Sequence, residues 1–344
     1  MTRKFDVVIG NPPYQEDSVG DSTHNMPIYN KFMDAAYEVA TKVVLITPAR
    51  FLFKAGYTPK AWNEKMLADP HLSVPIYVRD SSSLFPGTKI RAGIAVTSRD
   101  ASRKGIPIGA FTAYPELNSI LHKVIESGYE PLEAQGMTTG RSYRYTDKMH
   151  KEHPEASLIL SDGHQHVLGP HAFQRLPFLF SEVKPTDPHT YAQVYGRDAN
   201  KRVFRWIRRD YVTGPESLLK YKVAVPAANE LNTLGQMAAS EVLGPETAVT
   251  QTFLTIGAFE TDEEARACLR YIKTKFARAL LYALKATQHN PRSTWKYVPN
   301  QDFTENSDID WSKSTREIDQ QLYVKYELDA DEIEFLEEKV NSME

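Results

Sequence analysis

Cysteine is almost absent from the 344-residue sequence, which contains Cys268 and no other. A single cysteine excludes an internal disulfide framework and a zinc site built from several thiolates. The sequence also lacks an apolar run of about 18 residues, so we expect no membrane span. Its first residues pass directly from two basic side chains into a strand-like segment, which is typical of neither a signal peptide nor a transit peptide. These absences predict a cytoplasmic protein.

The composition is that of a folded protein, with 41% hydrophobic and 25% charged residues. The formal net charge is −3, but the charge is unevenly distributed. Residues 300–344 contain fourteen acidic and four basic side chains, whereas residues 196–222 contain eight basic and three acidic ones. A basic segment of this kind is compatible with a nucleic-acid partner and equally with an ordinary solvated face.

The first 128 residues alternate short apolar runs with helical spacing. The pattern predicts buried strands at 5–10 and 43–48, with a helix over 29–41 between them. Two more strands are predicted at 73–80 and 90–100, close enough in sequence to pair antiparallel. The order strand, helix, strand favours an open α/β sheet that is parallel at first.

Beyond residue 128 this alternation stops. Much of the segment 129–300 is rich in proline, glycine and histidine, which favours an irregular α+β domain. Residues 301–344 have the pattern of short acidic helices. We therefore expect an α/β domain over 1–128, an α+β domain over 129–300 and an acidic helical tail over 301–344.

The tetrapeptide Asn11-Pro12-Pro13-Tyr14 directly follows the first predicted strand, at the end where open α/β sheets bind their ligands. The two prolines remove two amide donors and hold the backbone extended, which leaves carbonyl acceptors beside the Asn11 side chain. Tyr14 adds a flat aromatic face. Such a set suits an exocyclic amino group on a base that has been flipped out of a duplex. An ordinary turn with Tyr14 packed against it is the other interpretation.

The segment FDVVIGNPPYQ resembles motif IV of N6-adenine DNA methyltransferases. KVVLITPARFLF and KIRAGIAVTSRD are similar to later strands of adenine methylases in fused restriction-modification enzymes. Segments from KRVFRWIRRDYV onward are similar to the recognition half of methylases related to type IIG enzymes. The resemblance implies a partial Rossmann-like methyltransferase sheet, followed by an irregular α+β target-recognition domain with carboxyl-terminal helices.

By this resemblance, the catalytic residues are Asn11, Pro12, Pro13 and Tyr14. Asn11 and the Pro12 carbonyl accept hydrogen bonds from the adenine amino group, and Tyr14 stacks on the base. The implied methyl donor is S-adenosylmethionine, with no metal. The sequence departs from the family because it lacks the glycine-rich motif that holds this cofactor. We therefore expect an incomplete cofactor pocket, with a separate polypeptide supplying the cofactor-binding half or a nuclease.

The implied DNA contacts lie in the second half of the sequence, where basic residues alternate with aromatic ones. These candidates are Lys201, Arg202, Arg205, Arg208 and Arg209, followed by Gln288, His289, Asn290 and Arg292. The alternative for residues 201–211 is a half-buried strand whose apolar positions form a core. Lys273, Lys275, Arg278 and Lys285 lie on a predicted helix and are either phosphate contacts or solvated charges.

Five histidines lie between residues 150 and 171, and histidine is a common zinc ligand. No cysteine or closely spaced carboxylate accompanies them in the sequence, which favours a polar loop over a metal site.

The sequence favours a site-specific DNA methyltransferase of a restriction-modification system, which transfers a methyl group from S-adenosylmethionine to a flipped adenine. The alternative is a DNA-binding specificity fragment without catalysis, because the cofactor motif is missing. A third hypothesis keeps the motif but places the methyl group on RNA or on a protein glutamine. The long basic half favours double-stranded DNA as the partner.

Overall fold

The computed structural model describes residues 4–16, 26–55, 57–88, 90, 92–199, 201–228, 233–284 and 291–343. Strands and helices are mixed along the chain, which confirms the predicted α/β character. The chain divides into two compact units, residues 1–122 and 123–344. Within the described residues, no helix has both the length and the apolar composition needed to cross a bilayer.

The first unit is built on one four-stranded sheet. Its strands are β1 (Phe5–Gly10), β2 (Ala40–Pro48), β3 (Leu72–Val78) and β4 (Ile94–Asp100), and its helices are α1 (Tyr29–Val39) and α2 (Lys60–Leu67), with α3 (Pro115–Glu126) at the boundary. The strand order is β1-β2-β4-β3. β1 and β2 are parallel, while β4 runs antiparallel to both β2 and β3. The predicted strand, helix, strand order and the antiparallel final pair are confirmed.

Helices cover one face of this sheet. The apolar side chains of α1 recur at spacings of three and four, so they form one apolar helix face that packs against the sheet. Met33 of α1 is fully buried against the inward-facing Val43 and Leu45 of β2. Phe51 and Trp62 extend the same core beyond the end of β2. The core thereby fixes the end of β2 relative to the start of α1.

The prediction that the first strand is buried is wrong. Phe5, Val7 and Ile9 are 56%, 48% and 76% exposed, and only the alternate residue Val8 packs against the core. β1 lies at one edge of the sheet among the described residues. A continuous apolar run indicates two covered faces, but here only one face of the strand meets a helix layer.

The described part of the second unit contains three further sheets. Its strands are β5 (Thr138–Thr139), β6 (Arg144–Tyr145), β7 (Tyr191–Asp198), β8 (Lys201–Arg208), β9 (Val212–Thr213), β10 (Tyr221–Pro226), β11 (Glu241–Leu243), β12 (Thr247–Val249) and β13 (Phe253–Phe259). The strand orders are β11-β10-β13-β5, β12-β7-β8 and β6-β9. The predicted strand around residues 203–207 is confirmed as β8, which forms an antiparallel hairpin with β7.

Helices complete the second unit. They are α4 (Asp147–Glu152), α5 (Glu155–Ile159), α6 (Ala172–Arg175), α7 (Asp262–Lys273), α8 (Lys275–Ala283), α9 (Thr315–Lys325) and α10 (Ala330–Lys339). Capping boxes begin the last two, with Ser314 facing Glu317 and Asp329 facing Glu332. These reciprocal bonds satisfy backbone donors that would otherwise lack partners at each helix start.

The acidic carboxyl-terminal helices are part of this second unit. Glu337 pairs with the ammonium group of Lys275 at 2.6 Å. The Asp319 carboxylate of α9 accepts hydrogen bonds from the backbone N–H groups of Lys275 and Phe276, each at 3.0 Å. These are the first residues of α8, so Asp319 caps that helix from another element. Part of the excess acidity of the tail is therefore used in internal contacts.

The Asp319 carboxylate provides a pH test of this packing. The residue is 2% exposed, and burial raises its pKa to about 6. Because the pKa is higher in the folded chain than in the unfolded chain, its contribution to stability falls as the pH rises from about 4 to about 6. We expect the wild type to lose up to about 3 kcal/mol of unfolding free energy relative to Asp319→Asn over this range, measured by urea denaturation. A difference that does not vary with pH would contradict this.

Candidate active site and nucleic-acid interface

The loop carrying Asn11 to Tyr14 follows the last residue of β1. Its backbone is anchored where the Tyr14 carbonyl accepts a hydrogen bond from Ile28 N–H at 3.2 Å. A bridge between Gln15 and Pro27 continues this contact, so the chain returns directly to the start of α1. The motif is therefore held between the end of a strand and the beginning of a helix, although its prolines supply no amide hydrogen bonds of their own.

All four motif residues line one pocket of about 450 Å³. We call it the motif pocket; it is lined by Asn11, Pro12, Pro13, Tyr14, Tyr29 and Arg50, among others. Pro48, the last residue of β2, also lines it. The pocket thus lies at the carboxyl ends of the parallel pair β1 and β2, where open α/β sheets bind ligands. Its volume is in the range of small-molecule sites.

Tyr14 offers a neutral aromatic face in this pocket. The residue is half-buried, and its hydroxyl oxygen is buried with no hydrogen-bond partner among the described residues. Burial raises the pKa of this hydroxyl, and the nearby Asn11 side chain acts in the opposite direction. Tyr14 is therefore uncharged at neutral pH. Asn11 and Pro13 are exposed, so the polar end of the motif is accessible.

Four polar residues that the sequence patterns did not single out also line the motif pocket: Gln15, Tyr29, Arg50 and Thr88. The Tyr29 ring is 1% exposed and is held by Phe51 and Trp62, at centroid distances of 6.3 and 6.2 Å. Its hydroxyl is buried beside the Thr58 side chain, and the Arg50 Nε atom is buried without a hydrogen-bond partner among the described residues. Arg50 follows the carboxyl end of β2, so the rule that singles out Asn11 after β1 also applies to it.

The described lining of the motif pocket does not fit S-adenosylmethionine. A nucleoside with ribose hydroxyls is commonly held by an acidic acceptor and by glycines that allow close backbone approach. The described residues that line the pocket include neither an acidic residue nor a glycine. They offer amide and carbonyl acceptors, aromatic rings and one guanidinium instead.

The amino-terminal part of the chain matches a known family. Residues 1–85 match the family model described as Eco57I restriction-modification methylase. The predicted resemblance to these methylases is confirmed. The sequence matches no curated protein.

Two solved structures are similar over most of the chain. The type IIG restriction endonuclease BpuSI is 12% identical over 87% of this chain and 44% of its own, with a TM-score of 0.31. The type IIL restriction-modification enzyme MmeI, solved in complex with DNA, is 8% identical over 97% of this chain and 56% of its own, with a TM-score of 0.37. The chain therefore spans about half the length of the structures that it matches.

Three of the five arginines and lysines predicted as DNA contacts around β8 form internal ion pairs. Arg205 pairs with Glu182 and Asp198, at 2.9 and 3.0 Å. Arg208 pairs with Glu152 and Asp210, at 2.8 and 2.7 Å. The third, Arg209, pairs with Glu246. Lys201 is exposed, and Arg202 donates a hydrogen bond to a backbone carbonyl, that of Ala239.

Arg202 lies in a basic pocket of about 850 Å³ in the second unit. Arg141 and Arg197 line the same pocket with the amide side chains of Gln236 and Gln251. Its described lining contains no acidic side chain. We call this the arginine pocket. Arg141 and Arg197 were not singled out from the sequence, since residues 56 positions apart give no local pattern.

A second basic pocket, of about 810 Å³, is formed by α7, α8 and the start of α9. Seven basic side chains line it: Arg266, Arg270, Lys273, Lys275, Arg278, Lys313 and Arg316. Among the residues that the structure describes, two acidic side chains, Asp319 and Glu337, share the lining. Lys275 and Arg278 are buried and hydrogen-bonded within the protein, whereas Arg266, Arg270, Lys313 and Arg316 are exposed. We call this the helical basic pocket.

The remaining sequence candidates are placed as follows. Arg292 begins a short turn of 3₁₀ helix and lies 3.7 Å from a carboxylate oxygen of Glu133. Gln288, His289 and Asn290 lie outside the described residues, as does Lys285. The His150 and His166 rings meet at 4.7 Å and each bonds to a backbone carbonyl. In the described ranges, no three histidine, cysteine or acidic residues are grouped so that they could hold a metal ion.

Proposed function

We propose that this chain carries the catalytic loop and the DNA-recognition portion of an N6-adenine DNA methyltransferase from a restriction-modification system. The observation that carries the proposal is the motif pocket, in which Asn11, Pro12, Pro13 and Tyr14 meet at the carboxyl end of a parallel strand pair. The family match of residues 1–85 supports the methylase assignment of this segment.

The pocket suits an extruded adenine. The Asn11 side-chain oxygen and the Pro12 carbonyl can accept hydrogen bonds from the two protons of the N6 amino group. Hydrogen bonds from both protons to these acceptors disfavour delocalisation of the nitrogen lone pair into the ring, which makes the nitrogen a better nucleophile. The half-buried Tyr14 ring can stack on the base and offset part of the few kcal/mol needed to unstack it.

The methyl donor of this family is S-adenosylmethionine, which the described lining of the motif pocket does not fit. We therefore keep a second candidate function, that of a DNA-binding specificity fragment whose cofactor is held by a separate polypeptide. The missing acidic acceptor and glycine in the described lining favour this second candidate for the isolated chain. Both candidates assign the same role to Asn11.

Double-stranded DNA is the partner that the second unit suits best. The arginine pocket and the helical basic pocket place exposed or partly exposed cations around concave surfaces, and phosphate contacts of this kind fix a protein on a duplex. Because Arg205, Arg208 and Arg209 are already paired, we propose that Lys201 and Arg202 carry the contacts first assigned to the whole segment.

Replacing Asn11 by alanine tests the catalytic half of the proposal. The change removes an acceptor for the amino group but no phosphate contact. We expect Asn11→Ala to abolish methyl incorporation into unmethylated plasmid DNA, assayed with the chain in whichever assembly has methyltransferase activity. Affinity for duplex DNA should change less than about threefold. Asn306→Ala is the matched control, since Asn306 is also exposed but lies in the second unit and outside the motif pocket. An equal loss of DNA affinity and activity in Asn11→Ala would contradict this division of roles.

Replacing Arg202 by glutamine tests the DNA half. If Arg202 neutralises a phosphate, the slope of log affinity against log salt should become shallower by about 0.9. The measurement is fluorescence anisotropy with a mixed-sequence duplex over a range of salt concentrations. Arg208→Gln is the matched control on the same strand. It should keep the wild-type slope but be less stable than the wild type, because Glu152 and Asp210 each lose one of their partners. Salt-independent binding by the wild type would contradict the proposal.

A further inference from the structure

Arg50 is a half-buried cation without an anionic partner among the described residues. Its Nε atom is buried and makes no hydrogen bond, and the described ion pairs of the first unit involve other residues. Arg99, by contrast, lies 2.7 Å from a carboxylate oxygen of Asp69. Partly burying a guanidinium removes water from it, which is costly unless another group provides hydrogen bonds and negative charge. Among the described residues, Arg50 therefore lacks the counter-charge that an anionic ligand would supply.

Tyr29 presents a second hydrogen-bond donor to the same pocket. Its ring is fixed by Phe51 and Trp62, and its buried hydroxyl lies beside the Thr58 side chain. Burial raises the pKa of this hydroxyl to about 12, with Thr58 and the positive charge of Arg50 acting in the opposite direction. The hydroxyl therefore keeps its proton at neutral pH and is available as a donor beside the guanidinium.

The two sets of polar groups in the motif pocket are complementary in kind. Asn11 and the prolines supply acceptors, Arg50 and Tyr29 supply donors, and Gln15 and Thr88 can do either, while Arg50 is the pocket's one described positive charge. The described lining contains no carboxylate that could neutralise Arg50. A ligand that satisfies both sets carries an amino group on a flat ring and also an anionic group. A nucleotide has this arrangement.

We propose that Arg50, assisted by the Tyr29 hydroxyl, forms an anion subsite in the motif pocket that binds the phosphate of the extruded nucleotide. The inference rests on the proposed function, since it takes the acceptor set at Asn11 to hold the base. Arg50 is here a binding residue: its charge-assisted hydrogen bonds hold the nucleotide backbone while the motif holds the base. A carboxylate of the methyl donor is the other possible source of the anion.

The experiment compares ligands that differ by one group. Deoxyadenosine, deoxyadenosine 5′-monophosphate and S-adenosylmethionine are titrated into the full chain, and binding is followed by heteronuclear NMR. We expect the wild type to bind the monophosphate about tenfold more tightly than the nucleoside. Arg50→Gln should abolish this preference while leaving nucleoside affinity unchanged, and Arg50→Lys should restore part of it because it keeps a single charge. Tyr29→Phe should weaken binding of the monophosphate alone.

Arg103→Gln is the matched control, because Arg103 is an exposed arginine of the first unit that does not line the motif pocket. It should bind all three ligands like the wild type. Thermal unfolding of each variant shows that it is folded, and Arg50→Lys provides a second folded variant if Arg50→Gln is unstable.

Three results would overturn the anion subsite. In the first, Arg50→Gln still binds the monophosphate more tightly than the nucleoside. In the second, the wild type binds both with equal affinity. In the third, Arg50→Gln loses affinity for S-adenosylmethionine but not for the monophosphate. The last would assign the anion to the methyl donor. The proposed function fails separately, if Asn11→Ala binds deoxyadenosine as well as the wild type does. In that case an Arg50-dependent preference for the monophosphate would still support the subsite.

Discussion

The parallel pairing of β1 with β2 is the constraint on which the candidate site depends. It brings the carboxyl ends of both strands to one edge of the sheet, so that the loop from Asn11 to Tyr14 and the residue Arg50 line a common pocket. Proline in the first loop leaves carbonyl acceptors without competing donors. The aromatic core at Phe51 and Trp62 then fixes Tyr29 and the segment that carries Arg50. The pocket therefore combines carbonyl and amide acceptors with a guanidinium, and its described lining contains no carboxylate.

In the second unit, internal ion pairing determines which charges remain for a partner. Acidic residues from several loops and helices neutralise the arginines of β8, and acidic side chains of α9 and α10 bind the start of α8 and Lys275. A partly buried ion pair of this kind contributes to the stability of the folded unit, since removing one member leaves the charge of the other uncompensated. Concave basic surfaces remain at the arginine pocket and the helical basic pocket.

Local sequence patterns predicted the elements that positioned the site. The spacing of apolar residues located α1, β2 and β8, and a rule about strand ends singled out Asn11 to Tyr14. The pairing of Arg208 with Glu152 could not be predicted in this way, because the two residues are 56 positions apart and meet only in the folded unit. The exposure of Ile9 was missed for a related reason: an apolar strand has the same pattern whether one or both of its faces are covered. Arg50 follows the carboxyl end of β2, so the strand-end rule also applies to it.

Photocross-linking would test the central claim most directly, namely that the motif pocket receives a base extruded from DNA. A duplex with one unpaired 8-bromoadenine avoids the need to know the recognised sequence, since an unpaired base is the least costly to extrude. After irradiation of the complex, mass spectrometry maps the cross-linked residue. We expect an adduct on Tyr14 whose yield falls when unmodified duplex is added as a competitor. Adducts confined to the second unit, formed while the duplex is bound, would contradict it.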